Sequence, residues 1–214
     1  MIPTNVPVFA IVYHNKFKRS RYTYTMAKLV HYSKSDSEQT IADMVCFCAR
    51  VSNPTNQHNT QTNEKLIQYL MKHHHWSPFE MVNICMEIRT TRDIARQILR
   101  HRSFSFQEFS QRYAVVNDFS YREARLQDAK NRQSSIETTD ETLQTQWKEH
   151  QQRIQEVSSE AYQWALSNGI AKEQARAVLP EGMTVSVIYM NGTLRSWIHY
   201  LQIRTRDDTQ KNIG

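Results

Sequence analysis

Hydrophobic positions along the chain fall into two rhythms, and they predict where helices and strands lie. Val6–Tyr13 is β-branched and aromatic, which predicts an N-terminal strand. In Thr40–Arg50, residues Ile41, Met44, Val45 and Cys48 recur at helical spacing. The polar tract Ser52–Thr62 around Pro54 reads as a loop. Thr62 or Asn63 can then cap a helix through Leu66, Ile67, Leu70 and Met71. Ser77-Pro78 forces a turn, because the residue before proline is pushed out of the helical region. Met81–Thr90 alternates with Val82, Ile84, Met86 and Ile88 on one side, the pattern of a strand. A helix opened by Thr91 or Asp93 runs through Ile94, Ala95, Ile98 and Leu99 and ends near Arg102.

Tyr113–Phe119 predicts a further strand, and Arg122–Thr139, polar and without a clean period, predicts a loop held by its contacts. The longest helix is expected over 140–168. A capping box of Thr138 with Glu141 starts it, and Leu143, Trp147, Ile154, Val157, Ala161 and Ala165 form one apolar stripe. Gly169 marks its stop. A shorter helix follows from Ala171 to Pro180, then a strand over Thr184–Met190 and a helix over Thr193–Ile203. Strands and helices interleave without a repeat, which predicts a mixed α+β single domain over residues 1–214.

Composition narrows the chemistry. The chain has 214 residues and four glycines, Gly169, Gly182, Gly192 and Gly214, none spaced as a glycine-rich phosphate loop requires. A nucleotide would therefore have to be held by side chains, and the 17 arginines against 10 lysines are the candidates. The net charge of +6 favours an anionic partner. With 39% hydrophobic residues and a mean hydropathy of −0.68, the chain is polar enough to expect surface buried in an oligomer. Val8–Tyr13 and Val185–Met190 are too short to span a bilayer, so no membrane role is expected. The first basic cluster follows the N-terminal apolar stretch, unlike a secretion signal. Three cysteines without a framework point to the reducing cytoplasm.

Cys46, Cys48 and Cys85 lack zinc-ligand spacing, and no metal site is expected. Consecutive helical residues diverge by about 100°, so His73, His74 and His75 cannot converge on one ion. What remains is Arg96–Arg112, RQILRHRSFSFQEFSQR. Gln97 and Arg100 share a helix face, and Arg100, His101 and Arg102 fan out beyond it towards a Ser/Phe/Gln/Glu turn that contains Glu108. From these residues alone three readings stand: a solvated helix end, a nucleic-acid platform using Phe104, Phe106 and Phe109, and a nucleotide pocket.

The same segment resembles the R-H-R-x-x-S-x-N-x-x-S-x-R motif of the flavin-dependent thymidylate synthases. Arg100, His101, Arg102, Ser105, Ser110 and Arg112 match, and Gln107 stands in place of Asn. Supporting blocks are Ala49-Arg50-Val51-Ser52-Asn53-Pro54, His75–Glu80, Ala175–Pro180, Leu194-Arg195-Ser196 leading to Arg204, and Thr209-Gln210-Lys211.

The resemblance implies the thymidylate synthase-complementing-protein fold, a mixed or antiparallel sheet flanked by helices, one of them long. It implies reductive methylation of dUMP to dTMP, with methylenetetrahydrofolate giving the carbon and NADPH the hydride through FAD. Members are homotetramers whose active sites lie between subunits, and nucleic acid is not a partner. By position, Ser77, Arg100, His101, Arg102, Glu108, Thr193, Arg195 and His199 resemble FAD contacts. Gln97, Arg100, Glu108, Phe109, Ser110, Gln111, Arg112, Arg176 and Arg204 resemble the dUMP set. Arg204 matches the arginine held to favour the ionised uracil ring. Arg195 and Arg204 are nine residues apart, so one straight helix would place them on nearly opposite sides. Arg122, Arg125, Arg132 and Arg206 default to surface or interface. The competing expectation is a basic nucleic-acid-binding module built on Arg96–Arg112.

Overall fold

The computed structural model describes residues 26–36 and 40–204. The strand expected over Val6–Tyr13, Arg206 and the block Thr209–Lys211 lie outside them.

Two nine-residue strands carry the sheet. β2 (Asn83–Thr91) and β6 (Val185–Thr193) pair antiparallel over their whole length, from Asn83 opposite Thr193 to Thr91 opposite Val185. β1 (Met26–Tyr32) adds to the outer edge of β2, and β3 (Ser105–Glu108) adds to β6, giving the order β1-β2-β6-β3. Every pairing is antiparallel.

Helices α1 (Ile41–Ala49), α2 (Asn63–Lys72), α3 (Arg92–Ile98) and α6 (Leu194–Arg204) cover the sheet. Val45, Cys46, Val82, Ala95, Ile188 and Met190 have no exposed surface at all. Removing side chains of this size from water stabilises the fold by about 1.5–3 kcal/mol each for the larger ones. A second cluster, Val116, Tyr162, Ala165, Ala175 and Leu179, joins the long helix α4 (Glu141–Ser167) to α5 (Lys172–Ala175).

Helix α4 starts two residues later than the capping box would put it. Asp140 is the N-cap and accepts the Leu143 N–H at 2.9 Å, while Thr138 Oγ1 accepts the Asp140 N–H. Its end matches the sequence. Gly169 sits at φ +78°, and the Gly169 and Ile170 N–H groups return to Leu166 and Ala165. Of the expected apolar stripe, only Ala165 is buried. Trp147, Ile154 and Val157 are exposed, together with Trp164, and the buried positions of this helix are Gln151, Tyr162 and Ala165.

Three other expectations are corrected. Tyr113–Phe119 is not a strand, and only Phe119 makes an isolated bridge, to Thr184. The Ser/Phe/Gln/Glu turn is instead β3, because Ser105–Glu108 finds the free edge of β6. Arg122–Thr139 contains a hairpin of β4 (Arg125–Gln127) and β5 (Ser135–Glu137), closed by Arg125 hydrogen bonds to the Ser135 hydroxyl and carbonyl. The stretch before it is zipped onto α4 by glutamines two helical turns apart. Gln144 exchanges two hydrogen bonds with the backbone of Ala124, and Gln151 exchanges two with that of Arg122. Such side-chain pairing replaces a sheet ladder, so periodicity cannot detect it.

Candidate active site

Helix α6 is anchored before it presents anything. Its first turn is capped by Thr193, whose Oγ1 accepts the Ser196 N–H at 3.3 Å, and Trp197 Nε1 donates to the Ile84 carbonyl at 3.0 Å. Both Arg195 and Arg204 lie on this one helix, and they diverge as the spacing requires. Arg195 donates to Glu80 in the 3-10 turn Ser77–Met81, so Ser77, Glu80 and Arg195 form one exposed neighbourhood.

Arg204 faces the other way, into the loop after α3. It directs Nε and Nη2 at Nε2 of His101, at 3.0 and 2.7 Å, and Nη2 also meets the Gln97 carbonyl at 3.4 Å. The His101 ring packs edge-on against Tyr200, with centroids 4.8 Å apart. Burial first, then the charges of Arg204, His199 and Arg100, hold the His101 pKa below its ordinary value. A guanidinium has only donors, so a neutral His101 with an unprotonated Nε2 is the form that fits.

Arg100, Arg102 and His199 are exposed around this contact, and neither Arg100 nor Arg102 is in an ion pair among the described residues. At the end of β3, Glu108 Oε1 accepts from Ser186 Oγ at 2.8 Å and lies 3.4 Å from Arg92 Nη1. Phe109 and Ser110 follow, exposed, at the start of a turn. Gln111 is buried, and its Nε2 has no hydrogen-bond partner.

Arg112 in the same turn is paired with Glu173 of α5 at 3.0 Å, and Arg176 Nε donates to the Glu173 carbonyl at 3.2 Å. Lys172 Nζ closes this contact on the Tyr113 carbonyl at 3.0 Å. The structure thus brings Arg112 together with Arg176, Arg204 with Gln97 and His101, and Ser77 with Arg195.

Sequence reasoning missed Arg92, Ser186, Lys172 and Glu173, which hold the expected residues from the side. Glu173 had a local signal, standing three residues before Arg176 on a short helix. Arg92 and Ser186 had none, since their partner Glu108 comes from another strand. Arg50 is an inward-turned fastener: it donates to the Asn59 carbonyl, Asn63 Oδ1 and Thr62 Oγ1, closing the loop that follows α1. Arg122, expected at the surface or an interface, clamps Asp93 at 2.6 Å.

Two observations bear on chemistry. Phe104 is buried against Trp197 and Tyr200, and Phe106 packs on the same core, which leaves only Phe109 of the three phenylalanines exposed. A stacking platform for nucleic-acid bases is not what Arg96–Arg112 builds. The thiols of Cys46 and Cys85 are also poor nucleophiles. Burial pushes Cys46 up to about 11 and raises Cys85 as well. The donor set that remains, unpaired Arg100 and Arg102 with the unsatisfied buried amide of Gln111, suits a ligand rich in anionic and carbonyl oxygens.

Comparison with known proteins places this arrangement. The family model described as thymidylate synthase complementing protein matches residues 28–214. A probable flavin-dependent thymidylate synthase of Paramecium bursaria Chlorella virus 1 is 48% identical over 188 residues, 86% of this chain and 87% of that protein. The flavin-dependent thymidylate synthase of a Synechocystis strain is 49% identical over 168 residues, 78% of this chain and 77% of that one. The crystal structure of a UMP/dUMP methylase from Streptomyces cacaoi bound with 5-Br dUMP superposes with a TM-score of 0.76 at 30% identity, covering 89% of this chain and 85% of that chain.

Proposed function

The chain belongs to the thymidylate synthase complementing protein family, and on that premise we propose that it is a flavin-dependent thymidylate synthase that methylates dUMP to dTMP. Methylenetetrahydrofolate supplies the carbon and NADPH the reducing equivalents. FAD, when bound, would relay the hydride of NADPH to the carbon transferred to the uracil.

The observation that carries this reading is the guanidinium of Arg204, fixed by His101 and the Gln97 carbonyl. A permanently charged group beside a uracil carbonyl favours loss of the ring N–H proton by direct charge stabilisation. The ionised ring is a stronger nucleophile at the carbon to be methylated. No enzyme thiol is then required, which agrees with the raised thiols of Cys46 and Cys85.

Gln97, Arg100, Glu108, Phe109, Ser110, Gln111, Arg112 and Arg176 are assigned to dUMP, with Arg112 and Arg176 as the phosphate ligands. The Glu173 contacts hold those two guanidinium groups near each other. Ser77, Arg100, His101, Arg102, Glu108, Thr193, Arg195 and His199 are assigned to FAD. Exposed arginines and the free amide of Gln111 match its phosphates and carbonyls in chemical type.

The active unit in this reading is a homotetramer with sites between subunits. The uncovered apolar residues of α4 support that assembly. Among the described residues no helix is long and apolar enough to cross a membrane. Three free cysteines agree with a reducing cytoplasm.

The test is NADPH oxidation by the FAD-loaded protein in the presence of dUMP and methylenetetrahydrofolate, with dTMP read by chromatography. Formation of dTMP dependent on all three is expected. A folded, FAD-containing assembly that makes no dTMP overturns the reading.

A further inference from the structure

Glu108 is held by an arginine that no motif contains. Arg92 opens α3, and its backbone N–H donates to the Thr184 carbonyl at 2.9 Å, which ties the start of the helix to the residue before β6. Its side chain is only 13% exposed, and its Nη1 lies 3.4 Å from Glu108 Oε1. A second carboxylate, Glu181, stands 4.0 Å from Arg92 Nε but is already bound by Arg96. Arg92 Nε itself is buried and makes no hydrogen bond. Arg92 therefore faces two carboxylates, and its shorter contact is to Glu108.

Ser186 completes the arrangement. Its residue is 1% exposed, and its hydroxyl donates to the same Oε1 at 2.8 Å. One oxygen of the carboxylate is thus clamped by two side chains from α3 and β6. The other, Oε2, has no partner among the described residues. An acceptor with one oxygen fixed and the other open is arranged to receive an O–H or N–H from a ligand.

We propose that Arg92, with Ser186, is the positioning residue that fixes Glu108 for substrate binding, leaving Oε2 to accept from a hydroxyl of the bound nucleotide. The inference rests on the assignment of Glu108 to dUMP made above. Arg92 acts through Glu108 and touches no reacting atom. The arrangement makes a quantitative demand, because two residues acting through one carboxylate oxygen cannot contribute independently.

The experiment is a double-mutant cycle on the full chain, with dUMP affinity read by titration calorimetry and kcat and KM by dTMP formation. Arg92→Met and Glu108→Gln are each expected to weaken dUMP binding about tenfold, with the double variant no weaker than the weaker single one. For Arg92→Met the KM for dUMP should rise while kcat at saturating dUMP holds. Arg92→Lys should recover part of the affinity. If Arg92→Met does not fold, Ser186→Ala in the same cycle with Glu108→Gln asks the same question with a smaller change. Multiplying losses, about a hundredfold in the double variant, would overturn the proposal while leaving Glu108 as a dUMP contact. Unchanged dUMP affinity in Glu108→Gln would instead remove Glu108 from the substrate set, and the proposal with it.

Discussion

Arg204 aims two of its N–H groups at one atom, Nε2 of His101, at 3.0 and 2.7 Å. The contact joins the last residue of α6 to the loop after α3, 103 residues away in sequence. It works only while that nitrogen carries a lone pair. Protonation of His101 would replace an acceptor with a second positive charge and push the guanidinium away.

The pH dependence follows from the direction of the shift. Burial and neighbouring positive charge hold His101 below its ordinary pKa of 6.5, so the unfolded chain takes up the proton at higher pH than the folded one. The contribution to stability is complete above the unfolded value and is lost as pH falls through 6.5 towards the folded pKa. Urea midpoints measured from about pH 8 to pH 5 should fall more steeply for the wild type than for His101→Gln, which keeps an acceptor and has no proton to gain. Parallel curves would mean that His101 does not titrate between the two states.

Arg204→Lys tests the guanidinium apart from its charge. A lysine ammonium keeps the positive charge but cannot direct a planar fork at His101 and Gln97 together. Turnover should drop about a hundredfold, the scale for losing one preorganised donor at a developing anion. FAD content per chain, read from the flavin spectrum of the purified protein, should change little. Equal loss of both would show that Arg204 holds the cofactor and does not activate the uracil.

Legibility in the sequence followed the range of the interaction. β2, α1, α2 and α6 were predicted because their own apolar spacing suffices, and Gly169 ended α4 through its own left-handed backbone. β3 was not visible, since four residues such as Ser105–Glu108 become a strand only by meeting β6, about 80 residues later. The stripe on α4 was legible as apolar, but spacing alone does not say what covers it: Ala165 is buried within the chain, and Trp147, Ile154 and Val157 are exposed. In the candidate site, the resemblance supplied Arg100, His101, Glu108, Arg112 and Arg204. Arg92 and Ser186, which hold Glu108 from α3 and β6, needed the fold to be seen, whereas Glu173 stands only three residues before Arg176.

The same stripe gives a prediction about assembly. Val157 is 61% and Trp164 63% exposed on a helix whose buried side already has its own partners. Replacing both with glutamate leaves the contacts of Tyr162 and Ala165 untouched, so each chain should keep its helix content. Light scattering after size-exclusion chromatography should show an oligomer for the wild type and smaller species for the variant. Equal masses for the two would place any subunit contacts elsewhere.

Gly192 links packing to the site. It lies on β6 opposite Ile84, and a Cβ built there would meet the Phe104 ring at 2.4 Å. Phe104 cannot retreat cheaply, since Trp197 and Tyr200 stand edge-on to it at 4.9 and 5.9 Å. Tyr200 in turn packs on His101, so the steric demand of one methyl passes through two rings to the acceptor of Arg204. Gly192→Ala should lower stability by about 1–3 kcal/mol, the range for overfilling a packed core, measured by urea unfolding. Its effect on turnover separates two outcomes. If the rings shift together, kcat falls with stability because His101 leaves Arg204. If the strand yields instead, stability falls alone and the pH profile stays that of the wild type.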